Sequence, residues 1–398
     1  MNSEHFQETI KTRISDQDLT MAKTSATLQS YLQTPSTILL LDGGTSTALE
    51  NILQSKQPQP QNFPDRNLWS SSLLLSPTGQ KDIQQSHEAF YNAGSDIVTT
   101  VTYQLSRYAC RYGYDEDVID GLLHKAVEIA KDAADAVSTT RAKKRERYVV
   151  ASLGCYGAVL ADGSEYTGKY GNEMSVEELV GFHEKRVRVL FNQEGGTNGE
   201  RGRERTPMDL DGIAFETIPC LQEVKAIIKA VKSAQPNVFV WLSLACKDEK
   251  TLNDGTPILD VLQVVDEMDP DGKIIQGIGV NCCKVKFIHE LSQSIAKHVL
   301  HEHEHIASNK RTRRVVVLYP NSGEEWVAEN ETWLEGSGCT NAEDYAMEMI
   351  KCIRGIHDLC DERKIPRLSI LVGGCCRTSP LMIETLRAAV DEYVSCAL

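Results

Sequence analysis

At 398 residues, 41% of them hydrophobic, the chain is long enough for one large barrel or two ordinary domains around a buried core. Its formal net charge of −14 argues against nucleic acid or an anionic membrane as the main partner, because both repel an acidic surface, and points to small-molecule ligands. Twelve cysteines are too dilute for a disulfide scaffold, Met1-Asn2-Ser3-Glu4-His5-Phe6 has no apolar signal character, and no apolar run approaches the roughly 18 residues that span a bilayer; the expectation is a soluble, cytoplasmic protein in a reducing compartment.

Residues 1–36 read as a polar extension ending in Thr34-Pro35-Ser36, with a helical pattern over 17–32. From 37 to 398, short apolar runs alternate with amphipathic stretches. The runs fall at 37–41, 96–101, 148–153, 210–215, 238–244, 274–280, 315–319 and 368–372. The helical patterns between them include 118–137, 176–191, 221–231, 257–267, 342–356 and 382–393. Eight βα units whose strands are continuously apolar predict a single closed parallel (β/α)₈ barrel, with an open doubly wound sheet as the structural alternative. Four stretches read as surface insertions or connectors: the Gln/Pro-rich 54–66, the basic 141–147, the Gly- and charge-rich 192–206 and a polar loop at 301–314.

In such a barrel the site lies at the C-terminal strand ends, and the distinctive polar residues fall there. The last strand runs into Gly373-Gly374-Cys375-Cys376-Arg377, and the sixth into Asn281-Cys282. Adjacent cysteines are badly placed to bond to each other but can share a metal; with Cys282 they make three thiolates from two loops, a zinc site with one position open, which is a catalytic pattern. Asp42 and Glu216 end the first and fourth strands. Buried there, each needs a cation, either a ligand's amino group or a structural ion pair. Three thiolates on zinc are suited to holding a fourth sulfur as a nucleophile, so the expected chemistry is alkyl transfer to a thiol.

Other signals carry less. His301-Glu302-His303-Glu304-His305 matches the H-E-x-x-H zinc-protease pattern but runs into Lys310-Arg311-Thr312-Arg313-Arg314, with no buried helix in view. A dinucleotide fingerprint, a Walker loop and a G-x-S-x-G elbow are all absent from the sequence. His87, His183 and His289 fall on helical patterns and read as surface or satisfied core residues.

Taken together, Asp42-Gly43-Gly44, the run from Ala93 to Gln104, Tyr156 to Gly168, Phe215-Glu216-Thr217-Ile218-Pro219, Gly279-Val280-Asn281-Cys282, Tyr319-Pro320-Asn321-Ser322-Gly323 and Gly373 to Arg377 resemble the homocysteine S-methyltransferases, most closely the branch using S-methylmethionine or S-adenosylmethionine. The resemblance spans about 38–389. It implies a (β/α)₈ barrel, zinc on Cys282, Cys375 and Cys376, and methyl transfer from a sulfonium donor to homocysteine. It also implies that Asp42 and Glu216 take the acceptor's amino group, with the backbone at Gly43 and Gly44 lining its site and Asn281 among the substrate-binding residues. Tyr166 would face the donor's cationic sulfur. The remaining alternatives are a selenol or other thiol acceptor, betaine as donor, or a barrel that senses zinc or thiols without turnover. Cys155, where the family motif carries proline, and Cys283 are not expected among the ligands.

Overall fold

The computed structural model describes residues 27–56, 63–138, 145–170, 174–191, 209–305, 312–323, 326–327, 332–333, 338–339 and 341–397. All eight apolar runs form parallel strands: β1 Ile38–Leu40, β2 Ile97–Thr99, β3 Tyr148–Gly154, β4 Gly212–Ile218, β5 Phe239–Leu244, β6 Gly277–Lys284, β7 Val315–Asn321 and β8 Ile370–Val372. Each pairs with its neighbour from β2 round to β8, and β8 pairs with β1, placing Ile38 opposite Ile370. Between β1 and β2 the ring is closed by Asp96. Its N–H donates to the Leu40 carbonyl at 2.8 Å, and its carboxylate accepts the Leu40 N–H at 2.8 Å. The result is the expected (β/α)₈ barrel. Its strands are buried on both faces, which is why they read as unbroken Val/Ile/Leu runs.

Eleven helices are described, here α1 Leu28–Leu32, α2 Thr45–Lys56, α3 Pro77–Ala93, α4 Glu116–Ser138, α5 Tyr156–Leu160, α6 Val176–Leu190, α7 Leu221–Ala234, α8 Ile258–Met268, α9 Ile288–His305, α10 Ala342–Glu362 and α11 Pro380–Ala397. Local chemistry sets their ends. Ser76 caps α3 ahead of Pro77, left-handed Gly94 stops it, and Ser175 with Glu178 forms a capping box on α6. The barrel interior is packed with Tyr148, Phe239, Trp241, Val317, Tyr319 and Leu371, and Leu28 and Leu32 of α1 join this cluster. Burying each such leucine contributes roughly 1.5–3 kcal/mol, so this part of the N-terminal stretch is packed as core. A second, larger cluster fills the space between sheet and helices.

The structure extends some expected elements. β4 runs on to Ile218 and β6 to Lys284, so Glu216 and Cys282 lie within strands instead of after them. The polar stretch expected as a loop from 301 begins as helix, since α9 continues to His305; it contains no Gly or Pro to stop it. Residues 306–311, the insertion 192–206 and most of the extension 1–36 lie outside the described residues. Among the described residues no helix is long and apolar enough to cross a membrane.

Candidate active site

The three cysteines expected to act together meet at the C-terminal mouth of the barrel. Cys282 Sγ lies 2.7 Å from Cys375 Sγ and 3.9 Å from Cys376 Sγ. All three sulfurs fall within 4.8 Å of one another, the only such group of three or more possible metal ligands among the described residues. Tetrahedral zinc thiolates with bonds of about 2.3 Å place their sulfurs about 3.8 Å apart, a spacing the 3.9 Å pair already has and the 2.7 Å pair reaches only by parting, while three thiols are a donor set that suits the ion. Hydrogen bonds from its two neighbours favour the thiolate of Cys376 and pull its pKa well below the usual thiol value, while contact with Cys375 pushes Cys282 up.

The backbone that presents them is sharply bent. Register shifts occur in β4 between Phe215 and Ile218 and in β6 between Asn281 and Lys284. Thr217 and Cys282 have φ of 60° and 51°, a left-handed conformation that costs a non-glycine residue about 1–3 kcal/mol. The strain is held by reciprocal bonds. Thr217 N–H donates to Asn281 Oδ1 at 2.7 Å, and Asn281 Nδ2 donates to Thr217 Oγ1 at 2.8 Å, with Cys375 Sγ 3.9 Å away. Asn281 is thus a brace between β4 and the cysteines. Across the cluster, Asn321 joins the two cysteine loops, and Cys375 N–H donates to the Pro320 carbonyl at 2.9 Å.

Gly43 and Gly44 let the β1 loop lie against the β8 loop. A Cβ on Gly44 would sit 2.7 Å from the Cys375 carbonyl oxygen, and one on Gly43 2.6 Å from that of Thr378. The Gly44 N–H is already engaged by Thr378, at 2.9 Å to its carbonyl and 3.0 Å to its hydroxyl.

Asp42 and Glu216 are buried at 3% and 8% exposure and interact electrostatically with each other. Asp42 accepts the Thr99 N–H at 2.8 Å and the Thr45 hydroxyl at 3.4 Å. Glu216 is held by Ser152 and by Tyr319, whose oxygen in turn accepts from Trp241 Nε1 at 3.1 Å. Burial pushes Asp42 up to about 8 and Glu216 to about 7. No Lys or Arg of the described residues pairs with either, so the ion-pair alternative is not realised here, and burial makes ionising either acid costly unless a cation comes beside it. Thr99, Ser152, Tyr319 and Asn321 were not singled out from the sequence, although all but Ser152 lie inside the motifs quoted above.

Tyr166 lies on a short 3₁₀ turn, Ser164–Tyr166, at the rim of the site, 64% exposed and beside the Glu165 carboxylate. Cys155 and Cys283 are buried away from the thiol cluster. His183 is a bonded core residue, bridging Glu223 and Arg186, whereas His87 is fully buried with neither ring nitrogen hydrogen-bonded within the described residues.

Residues 39–390 match the family model described as homocysteine S-methyltransferase. The chain belongs to the homocysteine S-methyltransferase family. Membership makes it an enzyme of methyl transfer, as the motifs implied. Among relatives of the family, homocysteine S-methyltransferase YbgG of Bacillus subtilis is 32% identical over 356 residues, covering 88% of this chain and 94% of that protein. Selenocysteine Se-methyltransferase of Brassica oleracea is also 32% identical, covering 94% of each. Among solved structures, the metallated form of the homocysteine methyltransferase MmuM from Escherichia coli superposes with a TM-score of 0.64 at 28% identity, covering 88% of this chain and 96% of that one.

Proposed function

We propose that this methyltransferase moves a methyl group from a sulfonium donor, S-methylmethionine or S-adenosylmethionine, to the sulfur of homocysteine, giving methionine, with zinc held by Cys282, Cys375 and Cys376. The observation that carries this reading is the convergence of three thiols and two cation-seeking buried carboxylates at one barrel mouth. Zinc bound there would lower the pKa of an incoming thiol and so supply a nucleophilic sulfur at neutral pH.

The residues of the chain do the rest. Asp42 and Glu216 take the acceptor's ammonium, the packed Gly43-Gly44 loop shapes its pocket, and Asn281 keeps the cysteine loop and Thr217 in register. Tyr166 offers its ring to the donor's cation at the rim. In the reaction the acceptor sulfur forms a bond to the methyl carbon while the donor's sulfur–methyl bond breaks, and its electron pair stays on the departing neutral sulfide. That leaving group needs no proton, so no general acid is required. Orientation and early loss of the thiol proton are what the protein contributes.

The test is methionine formation from homocysteine, run with S-methylmethionine, S-adenosylmethionine and betaine in parallel, each with and without a zinc chelator. Methionine from a sulfonium, abolished by chelation and restored by zinc, is the expected result. Full activity in zinc-free protein would sink the zinc assignment, and activity with betaine alone would sink the donor assignment. The similarity to a selenocysteine Se-methyltransferase favours a second reading, selenocysteine as acceptor, which the same assay separates by replacing homocysteine.

A further inference from the structure

Glu165 is a third buried acid of the site, and neither the thiol cluster nor the acceptor's ammonium accounts for it. It is 8% exposed. Its backbone is fixed on two sides: Asn253 Nδ2 donates to its carbonyl at 3.0 Å, and Gly157 packs so closely that a Cβ there would lie 2.5 Å from the Glu165 nitrogen. Gly157 belongs to α5 and Asn253 to the segment after β5, so the turn carrying Glu165 is clamped between two strand-end loops. The carboxylate lies beside the Tyr166 side chain and within electrostatic range of Cys376 and of the half-buried Tyr103. No Lys or Arg of the described residues pairs with it.

Its placement is distinct from that of the other two acids. Cys376 acts electrostatically on both Glu216 and Glu165, while Asp42 couples to Glu216. Asp42 and Glu216 sit just after β1 and within β4, whereas Glu165 sits on the rim turn between α5 and the segment after β5, so the mouth carries buried acids on separate strand-end loops. Direct transfer between two sulfurs sets donor and acceptor on opposite sides of the methyl, so the donor's sulfonium and the acceptor's ammonium call on different parts of the site.

We propose that Glu165 is the counter-charge for the cationic donor, a specificity-determining residue that selects a sulfonium over its neutral sulfide. The assignment rests on the reading of the site as a sulfonium-dependent methyltransferase. A carboxylate that favours the cation also releases the product, since transfer turns the donor into a neutral sulfide and the attraction vanishes. Tyr166, next in the chain, lies beside this carboxylate at the rim.

The experiment is titration calorimetry on the zinc-loaded full chain, comparing wild type, Glu165→Gln and Glu165→Asp. The ligands are S-methylmethionine, S-adenosylmethionine, neutral methionine and homocysteine. The expected result is that Glu165→Gln weakens binding of at least one sulfonium about tenfold or more, leaves methionine and homocysteine within about twofold, and is partly rescued in Glu165→Asp. Equal sulfonium affinity in wild type and Glu165→Gln, a parallel loss for methionine or homocysteine, or a wild type that binds neither sulfonium would each overturn it. A wild type that binds a sulfonium through Glu165 yet makes no methionine overturns the proposed reaction and leaves this site standing.

Discussion

Asn321 Oδ1 accepts the backbone N–H of Cys376 at 3.0 Å, and the same side chain donates from Nδ2 to the Cys282 carbonyl at 3.1 Å. One amide thus fixes the distance between two loops that are 94 residues apart in sequence and carry all three thiols. Groups that orient metal ligands without touching the metal typically change metal affinity by about 10–100-fold when removed. Asn321→Ala should therefore weaken zinc binding by about tenfold or more while leaving the fold cooperative. Asn321→Asp keeps the acceptor but loses the donor and adds a negative charge beside the thiolates, and should be at least as weak. Zinc competition against a chromophoric chelator measures both. Wild-type affinity in Asn321→Ala would show that the loops hold their spacing without it.

Asp42 sets a pH signature. Its carboxyl ordinarily ionises near 4 but is pushed up to about 8 in the fold by burial, so between these values the folded chain binds a proton that the unfolded chain has released. Stability then falls as pH rises through that window, because charging Asp42 opposes folding there. Asp42→Asn cannot charge and can still accept the Thr99 N–H. Relative to wild type at the same pH and with the same metal loading, it should melt close to wild type at pH 5 and several degrees higher at pH 8.5. It should also raise the homocysteine KM about tenfold or more, since the ammonium loses a partner. A variant less stable than wild type at both pH values would contradict the desolvation argument.

The barrel was legible because strands buried on both faces must be apolar throughout: 148–153 and 315–319 leave no other choice. The thiol trio was legible from residue type, since three cysteines beside glycine-rich strand ends have few other uses. What the sequence did not reveal was backbone geometry. Nothing in Phe215-Glu216-Thr217 or Asn281-Cys282 announces a register shift and a left-handed residue, yet these bends aim Glu216 and Cys282 into the mouth. Asn321 and Ser152 act only through partners distant in sequence. Helix α2, of mixed polar composition, gives little apolar stripe, α3 and α9 show in the sequence only as the helical patterns around His87 and His289, and α9 runs on into a polar stretch that resembles a loop. Tyr166 was marked for its ring; the buried group beside it is Glu165.

Two glycines should respond oppositely to one methyl group. In the barrel wall, a Cβ on Gly279 would lie 1.7 Å from the Val317 carbonyl oxygen, which belongs to the adjacent strand and cannot move without breaking the ladder. Gly121, inside α4, has no atom of the described residues within 4 Å of where an added methyl would sit. Gly279→Ala should yield little or no folded protein, whereas Gly121→Ala should stabilise by about 0.5–1 kcal/mol through helix propensity. Soluble expression and chemical denaturation separate the two. A folded, wild-type-like Gly279→Ala would mean that β6 and β7 can part at that point.

Behind the β3 loop, Glu223 is fully buried and accepts from the Tyr156 N–H at 2.6 Å, from His183 Nε2 at 2.8 Å and from Tyr170. Arg186 donates to His183 Nδ1 and to the Gly154 carbonyl, both at 2.8 Å. Since the guanidinium can only donate, Nδ1 must accept, which leaves Nε2 as the donor to Glu223 and the ring neutral. Burial agrees, holding His183 down at about 4. Glu223 is then the charge that offsets Arg186, two of whose nitrogens have no hydrogen-bond partner among the described residues. Removing one member of such a buried pair exposes the other as an uncompensated charge, at about 3–5 kcal/mol. Glu223→Gln should lose stability on that scale in urea unfolding. Adding Arg186→Met should recover a large part of it, because the stranded charge goes too. A Glu223→Gln variant as stable as wild type, or a double variant that falls by the sum of the two single losses, would show that the network is held by shape and not by charge.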